Sequence, residues 1–227
     1  MKKTLLSWSS GKDSAWALHL LSQRSDVRVV GLLTTFNRIA DRVAMHAVRR
    51  VLVRAQAERI GVPVWEIDLP WPCSNDQYEE IMRAVWQRAI EQGIQALAFG
   101  DLFLQDVRDY RERQLAGTAL EALFPLWGLP TRQLAADMLA GGIKAKLTCV
   151  DPTKLDRTYA GREFDLPLLE SLPASVDPCG ENGEFHTFVY DAPVFNRPID
   201  IQPGIIVERD GFVFADVLAK ESGNMEI

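Results

Sequence analysis

The strongest constraint on this chain is a regular exchange of strand and helix signals from Thr4 to Phe99. Thr4 to Trp8 reads as a short buried strand, and Asp13 to Ser22 carries Ala15, Leu18 and Leu21 at helical spacing. Val27 to Thr35 is a β-branched and aliphatic run suited to a strand buried on both faces. Met45 to Ile60 places Met45, Val48, Leu52 and Ala55 on one stripe and stops at Gly61-Val62-Pro63. Val64 to Leu69 is a third strand, Tyr78 to Gln92 a helix with Ile81, Val85 and Ala89 inward, and Gln95 to Phe99 a fourth strand ending at Gly100-Asp101. Such β-α-β alternation predicts a parallel sheet covered by helices, with a ligand crevice at the carboxyl ends of the strands. Asp109 to Leu120 continues as a helix, Leu123 to Trp127 as a short strand, and Thr131 to Ala140 as a helix ended by Gly141-Gly142.

After Ile143 the pattern changes, and seven of the twelve prolines fall in this remainder. Phe185 to Tyr190 and Ile205 to Val217 read as strands, the latter folded at the Asp210-Gly211 turn of a hairpin. We therefore expect two parts, an α/β domain over residues 1–143 and a smaller α+β domain over 144–227, packed against each other. The chain has 25 Lys and Arg against 31 Asp and Glu, a net charge of -6, which lacks the basic footprint of a dedicated nucleic-acid binder. Cys73, Cys149 and Cys179 form neither a CxxC pair nor a zinc-ligand spacing. Cys149 reads as a buried strand residue and Cys179 as a candidate pocket residue. No run approaches the roughly 18 apolar residues of a membrane span, so no membrane partner is expected and the cytoplasm is the expected compartment.

Between the first strand and first helix stands Ser9-Ser10-Gly11-Lys12-Asp13-Ser14. Small residues let backbone N–H groups approach phosphate oxygens, the helix N-terminus adds its positive dipole, and Lys12 supplies a cation. A Walker A loop would need Ser or Thr where Asp13 stands and a second glycine upstream, and residues 1–10 contain none. The competing reading is a plain helix cap, with Ser10 or Asp13 at the N-cap. The string resembles SGGKDS, the pyrophosphate-binding (PP) loop of the ATP pyrophosphatase superfamily, with Ser10 replacing the first glycine. That replacement costs roughly 1 kcal/mol if the position is left-handed. The resemblance implies a Rossmann-like (HUP-type) ATP-binding domain that cleaves ATP to AMP and pyrophosphate. It implies ATP contacts from Ser9, Ser10, Gly11, Lys12, Asp13 and Ser14.

Three further segments, GDLFLQDVRDYRER, FPLWG and DPCGENGEFHTFVYDAPVF, resemble those of the diphthine-ammonia ligase family and lie in the family's order. The resemblance implies an amide ligase that joins ammonia to a carboxylate through an acyl-adenylate, with ATP, Mg²⁺, ammonium and a carboxylate acceptor as its ligands. The acceptor would be the diphthine of an elongation factor or, with the same chemistry in a bacterial host, a small metabolite such as a corrinoid-related acid. A non-catalytic ATP-binding module is a different class of reading, and a tRNA-modifying enzyme is a weaker third. Dimers are frequent in the superfamily, so a homodimer is one assembly it allows.

If residues 184–190 are extended, Glu184 and His186 share one face and could meet one ligand together, as groups that deprotonate or orient ammonia. Lys12, Glu184 and His186 are thus the candidate catalytic residues. Tyr110, Arg111, Glu181, Asn182, Gly183, Glu184 and Thr187 are candidate acceptor contacts. Asp101 at a strand end could hold Mg²⁺ or a ribose hydroxyl, and Asp13 is a second candidate for the metal. The arginines at 38, 42, 49, 50, 54 and 59 form a local basic surface, expected to be a solvated helix face.

Overall fold

The structure is a computed structural model that describes residues 1–43 and 46–220. Strand β1 (Lys2–Ser7), helix α1 (Lys12–Ser22) and strand β2 (Val27–Asn37) form the first β-α-β unit, and β3 (Arg42–Val43) turns back on the end of β2. Helix α2 (Arg50–Ile60), β4 (Val64–Leu69), α3 (Asn75–Glu91), β5 (Ala96–Ala98), α4 (Gln105–Leu115) and β6 (Glu121–Leu123) continue the alternation. Strands β4, β2, β1, β5 and β6 pair side by side in parallel, with β3 the antiparallel exception. The strand order reverses between β1 and β5, and an open α/β sheet presents its ligand crevice at such a point.

Alternation places β1 and β2 in two cores at once. Leu6, Trp8, Leu32 and Phe36 face one apolar cluster, whereas Leu5 and Leu33 face another under α3. Helix α3 starts at a capping box in which Ser74 and Gln77 each accept the other's backbone N–H, satisfying two otherwise unpaired donors. Helix α5 (Thr131–Ala140) leads into a second sheet of four antiparallel strands. Its members are β7 (Lys144–Val150), β8 (Phe185–Asp191), β9 (Ile201–Arg209) and β10 (Phe212–Ala219), in the order β8-β7-β10-β9, with a short α6 (Leu166–Ser171) between β7 and β8. Asp210 and Gly211, at φ 53° and 83°, make the expected two-residue turn. Leu6 and Trp8 of the first sheet share one buried cluster with Phe188 and Val213 of the second, so a continuous core joins the two parts.

Several boundaries depart from the pattern. The helix expected over 45–60 begins at Arg50, because Arg49 bridges Arg42 instead; Met45 lies outside the described residues. The helix expected to reach Leu120 stops at Leu115, ahead of Gly117 at φ 76°. The strand expected over 123–127 lies earlier, as β6 ends at Leu123, and residues 124–127 turn back with Trp127 N–H donating to the Phe124 carbonyl. The basic surface is largely neutralised. Arg42 and Arg49 both bind Asp216 of β10, Arg50 binds Asp41, Glu66 and Asp68, and Arg54 binds Glu66. Among the described residues no helix is long and apolar enough to cross a membrane.

Candidate active site

The loop between β1 and α1 is held in place by the second sheet. Ser10 sits at φ 71°, the left-handed region, with its carbonyl accepting from Val189 N–H (3.0 Å) and from the Gln56 side chain (3.0 Å). Gly11 is the N-cap of α1 and makes no side-chain cap, so the plain-cap reading with Ser10 or Asp13 does not hold. A Cβ on Gly11 would stand 3.2 Å from the Thr187 carbonyl and hydroxyl, and one on Gly100 would stand 3.1 Å from Ser14 N. Backbone from three elements therefore converges where a side chain would be crowded and its neighbours would have to give by a few tenths of an ångström. The Lys12 N–H donates to Thr187 Oγ1 (3.1 Å), and Ser14 Oγ donates to the Gly11 carbonyl (2.9 Å).

Lys12 is 1% exposed, with Nζ donating to Asp13 Oδ2 (3.0 Å) and to the Cys179 carbonyl. Burial would push this ammonium down, but Asp13, Cys179 and Glu181 together hold it above its ordinary value. Burial raises Asp13, against the pull of Lys12. Asp13 Oδ1 is buried without a partner.

Two cavities meet over this loop. The first, about 240 Å³, carries the loop residues Ser9, Lys12, Asp13 and Ser14 on one side and Asp101, Glu181, His186 and Thr187 on the other. The second, about 480 Å³, is walled by Trp8, Tyr78, Met82, Trp86, Phe99 and Tyr110. Ser7, Ser9, His46, Phe99, Val107, Arg111 and His186 line both and mark the junction. Arg111 Nε reaches Asp101 Oδ2 at 3.4 Å. Burial lowers His186 to about 4, helped by repulsion from Lys12, and pushes His46 well below its ordinary value. The two imidazoles, 4.4 Å apart between centroids, are therefore uncharged at neutral pH.

The structure thus gathers Ser9, Lys12, Asp13, Ser14, Asp101, Arg111, Glu181, His186 and Thr187 in one cavity and Tyr110 in its neighbour. The other expected residues stand elsewhere. Ser10 Oγ is fully buried without a partner, and Gly11 contributes backbone only. Glu184 is 2% exposed and lines neither cavity, its Oε1 accepting from Asp177 N–H (2.9 Å) and Asn182 Nδ2 (3.2 Å). It precedes β8, where the chain is still turning from Gly183 at φ 81°, so strand alternation does not pair it with His186. Asn182 and Gly183 form the back of this turn, with Lys154 Nζ bonded to the Asn182 carbonyl. His46 was hidden in the segment read as helix, and Asp177, which accepts from Cys179 and Glu181 N–H and from Thr131 Oγ1, opens the DPCGENGEFHTF segment but was not among the residues singled out there. Cys179 lines the cavity, but burial raises its thiol and Sγ faces the Thr131 carbonyl, so it is no activated nucleophile.

A strand, a glycine-containing loop and a helix N-terminus at the switch point of a parallel sheet, beside an aromatic cavity, define a nucleotide-binding α/β protein. The chain belongs to the diphthamide synthase family: the Diphthamide synthase N-terminal domain matches residues 1–115, and the Diphthamide synthase C-terminal domain matches residues 131–216. It is 26% identical over 230 residues to a diphthine–ammonia ligase of Danio rerio, covering 92% of this chain and 90% of that protein. It is 29% identical over 152 residues to a diphthine–ammonia ligase of Mus musculus, covering 64% of this chain and 56% of that protein. A diphthine–ammonia ligase of Schizosaccharomyces pombe is 27% identical over 141 residues, covering 60% of this chain and 23% of that protein. The chain thus spans about half the length of the mouse relative and most of the zebrafish one.

Proposed function

We propose that this protein is an ATP-dependent, AMP-forming amide ligase that joins ammonia to the carboxylate of diphthine on an elongation factor, with residues 1–143 binding ATP and 144–227 contributing to the acceptor site. The observation that carries this reading is the two-part cleft. One end offers helix N–H groups, hydroxyls and a buried lysine to phosphates, and the other offers apolar and aromatic walls to a nucleobase. The junction of the two ends is where the α-phosphate would lie. The acceptor is taken from the names of the relatives, and no observation here favours a small-metabolite acceptor or a homodimer.

In this account an acceptor carboxylate oxygen attacks the α-phosphorus while the bond to pyrophosphate breaks. Lys12 and the start of α1 stabilise the charge developing on pyrophosphate, and Arg111 neutralises the α-phosphate. Ammonia then displaces AMP from the acyl carbon. Asp13 Oδ1, buried and unpartnered, fits a magnesium ligand, and among the described residues no group of three or more metal-ligating side chains could hold a metal unaided. That donor set suits Mg²⁺, which is commonly held by one or two carboxylates plus substrate phosphates and water, and which would supply charge neutralisation on the phosphates. A pure ATP-binding module would have no need of Glu181, His186 and Thr187 of the second part in the same cavity.

The reading is tested by product analysis with ATP, Mg²⁺, ammonium and diphthine-bearing elongation factor. AMP and pyrophosphate that appear only with the acceptor support it. ADP, or ATP left intact, contradicts it.

A further inference from the structure

Three carboxylates line the phosphate end of the cleft, and two of them are already paired. Asp13 is joined to Lys12 at 3.0 Å and Asp101 to Arg111 at 3.4 Å. Glu181 is the third, and among the described residues it has no ion-pair partner. Its Oε1 accepts from Leu102 N–H at 2.8 Å, which ties it to the strand-end loop after β5. Its Oε2 takes no hydrogen bond from the described residues and belongs to a side chain that lines the cavity. The turn that carries it is rigidly braced: Asp177 Oδ1 accepts both Cys179 and Glu181 N–H, and Glu184 accepts Asp177 N–H. One carboxylate oxygen is therefore held by Leu102 N–H and the other is left without a hydrogen bond or an ion pair in the first cavity, where Lys12 attracts it without contact.

We infer that Glu181 is the carboxylate that receives ammonium and takes its proton, making it a catalytic residue of the second half-reaction; this rests on the ligase reading above. Lys12 and Arg111 are paired with Asp13 and Asp101, so an ammonium ion can supply the ion-pair partner that Glu181 has not found among the described residues. On binding, it gives one N–H proton to Glu181 Oε2, which frees the nitrogen lone pair. The nitrogen bonds to the acyl carbon as the carbon–oxygen bond to the adenylate breaks, and that electron pair leaves on the phosphate of AMP. The nitrogen then loses a second proton to water, leaving a neutral amide. No oxidant or reductant is required. The surroundings of Glu181 suit a general base. Burial and the neighbouring Asp13 and Asp101 raise it to about 7 against the opposing pull of Leu102 N–H and Lys12, and a base works best with a pKa near the working pH. His46 and His186, held well below that value, are poorer bases in the same place.

The experiment compares wild type, Glu181→Gln and Glu181→Asp with ATP, Mg²⁺ and diphthine-bearing elongation factor, using either ammonium or hydroxylamine as nucleophile. Hydroxylamine is uncharged at neutral pH and needs no base before attack. Glutamine keeps an oxygen for Leu102 N–H, and melting curves verify that each variant folds. Glu181→Gln is expected to lose about a hundredfold to ten-thousandfold in ammonium-dependent amide formation. It should retain pyrophosphate exchange into ATP and hydroxamate formation within about threefold, and Glu181→Asp should fall between. Equal loss with both nucleophiles, or loss of pyrophosphate exchange, overturns the inference in favour of a metal or structural role, and unchanged ammonium turnover overturns it outright. If wild type itself forms no AMP, the ligase reading has failed instead.

Discussion

Replacing Ser10 by glycine should stabilise the protein. Ser10 occupies φ 71°, where an L-residue with a side chain pays roughly 1–2 kcal/mol. Its hydroxyl is also fully buried with no hydrogen-bonding partner, a further cost of about 1–3 kcal/mol. Glycine adds about 0.4–1 kcal/mol of unfolded-state entropy and gives up the packing of the side chain. The balance is a gain of about 1–2 kcal/mol, or roughly 2–8 °C in Tm at about 2–4 °C per kcal/mol for a chain of this size. The backbone is pinned by Val189 N–H and Gln56, so the loop should keep its shape. Differential scanning calorimetry of wild type, Ser10→Ala and Ser10→Gly measures this, with alanine expected in between because it removes the hydroxyl but keeps the strain. A Ser10→Gly protein that melts lower, or that loses nucleotide turnover while folded, would refute the reasoning and give the hydroxyl a role at the loop.

Other perturbations have equally definite outcomes. Lys12→Ala should abolish pyrophosphate release and should also lower stability by about 3 kcal/mol in urea titrations, because it strands the largely buried Asp13 carboxylate; an unchanged midpoint would contradict the buried pair. Gly100→Ala should weaken nucleotide binding, measured calorimetrically, since its Cβ would press on the backbone of Asp13 and Ser14, and wild-type affinity would show that the loop yields freely. Hydrogen bonds from Arg42 and Arg49 outweigh burial and hold Asp216 at about 2, below the unfolded value of 3.8, so the stability it contributes is full above pH 4 and is lost as pH falls through 2. The gap in unfolding free energy between wild type and Asp216→Asn should therefore shrink across that window, and a constant gap would show that the ion pairs contribute nothing there.

The fold was legible wherever periodicity had room to act. Strands β1, β2 and β4 carry enough apolar residues to be read, and Gly61, at φ 79°, stops α2 as expected. The beginning of α4 was not legible, because its cap is Leu104 and its first turns are polar, so no side-chain oxygen announces it. The loop motif exposed the phosphate end of the site, since its chemistry is local. The wall of that cavity opposite the loop depends on contacts between residues far apart in sequence: Thr187 with Lys12, Glu181 with Leu102, and His46 with His186. The alternation argument chose Glu184 over Glu181 for a physical reason. A period of two fixes faces only within a strand, and Gly183 turns the chain just before β8 begins.

In the proposed reaction the acceptor carboxylate attacks the α-phosphorus of ATP, and an acceptor labelled with oxygen-18 in that carboxylate, turned over with ATP, Mg²⁺ and ammonium, reports where its oxygen goes. Mass spectrometry should find one labelled oxygen in the phosphate of AMP and none in pyrophosphate. Label in a phosphate product other than AMP, or amide formed with unlabelled AMP, would contradict the adenylating mechanism.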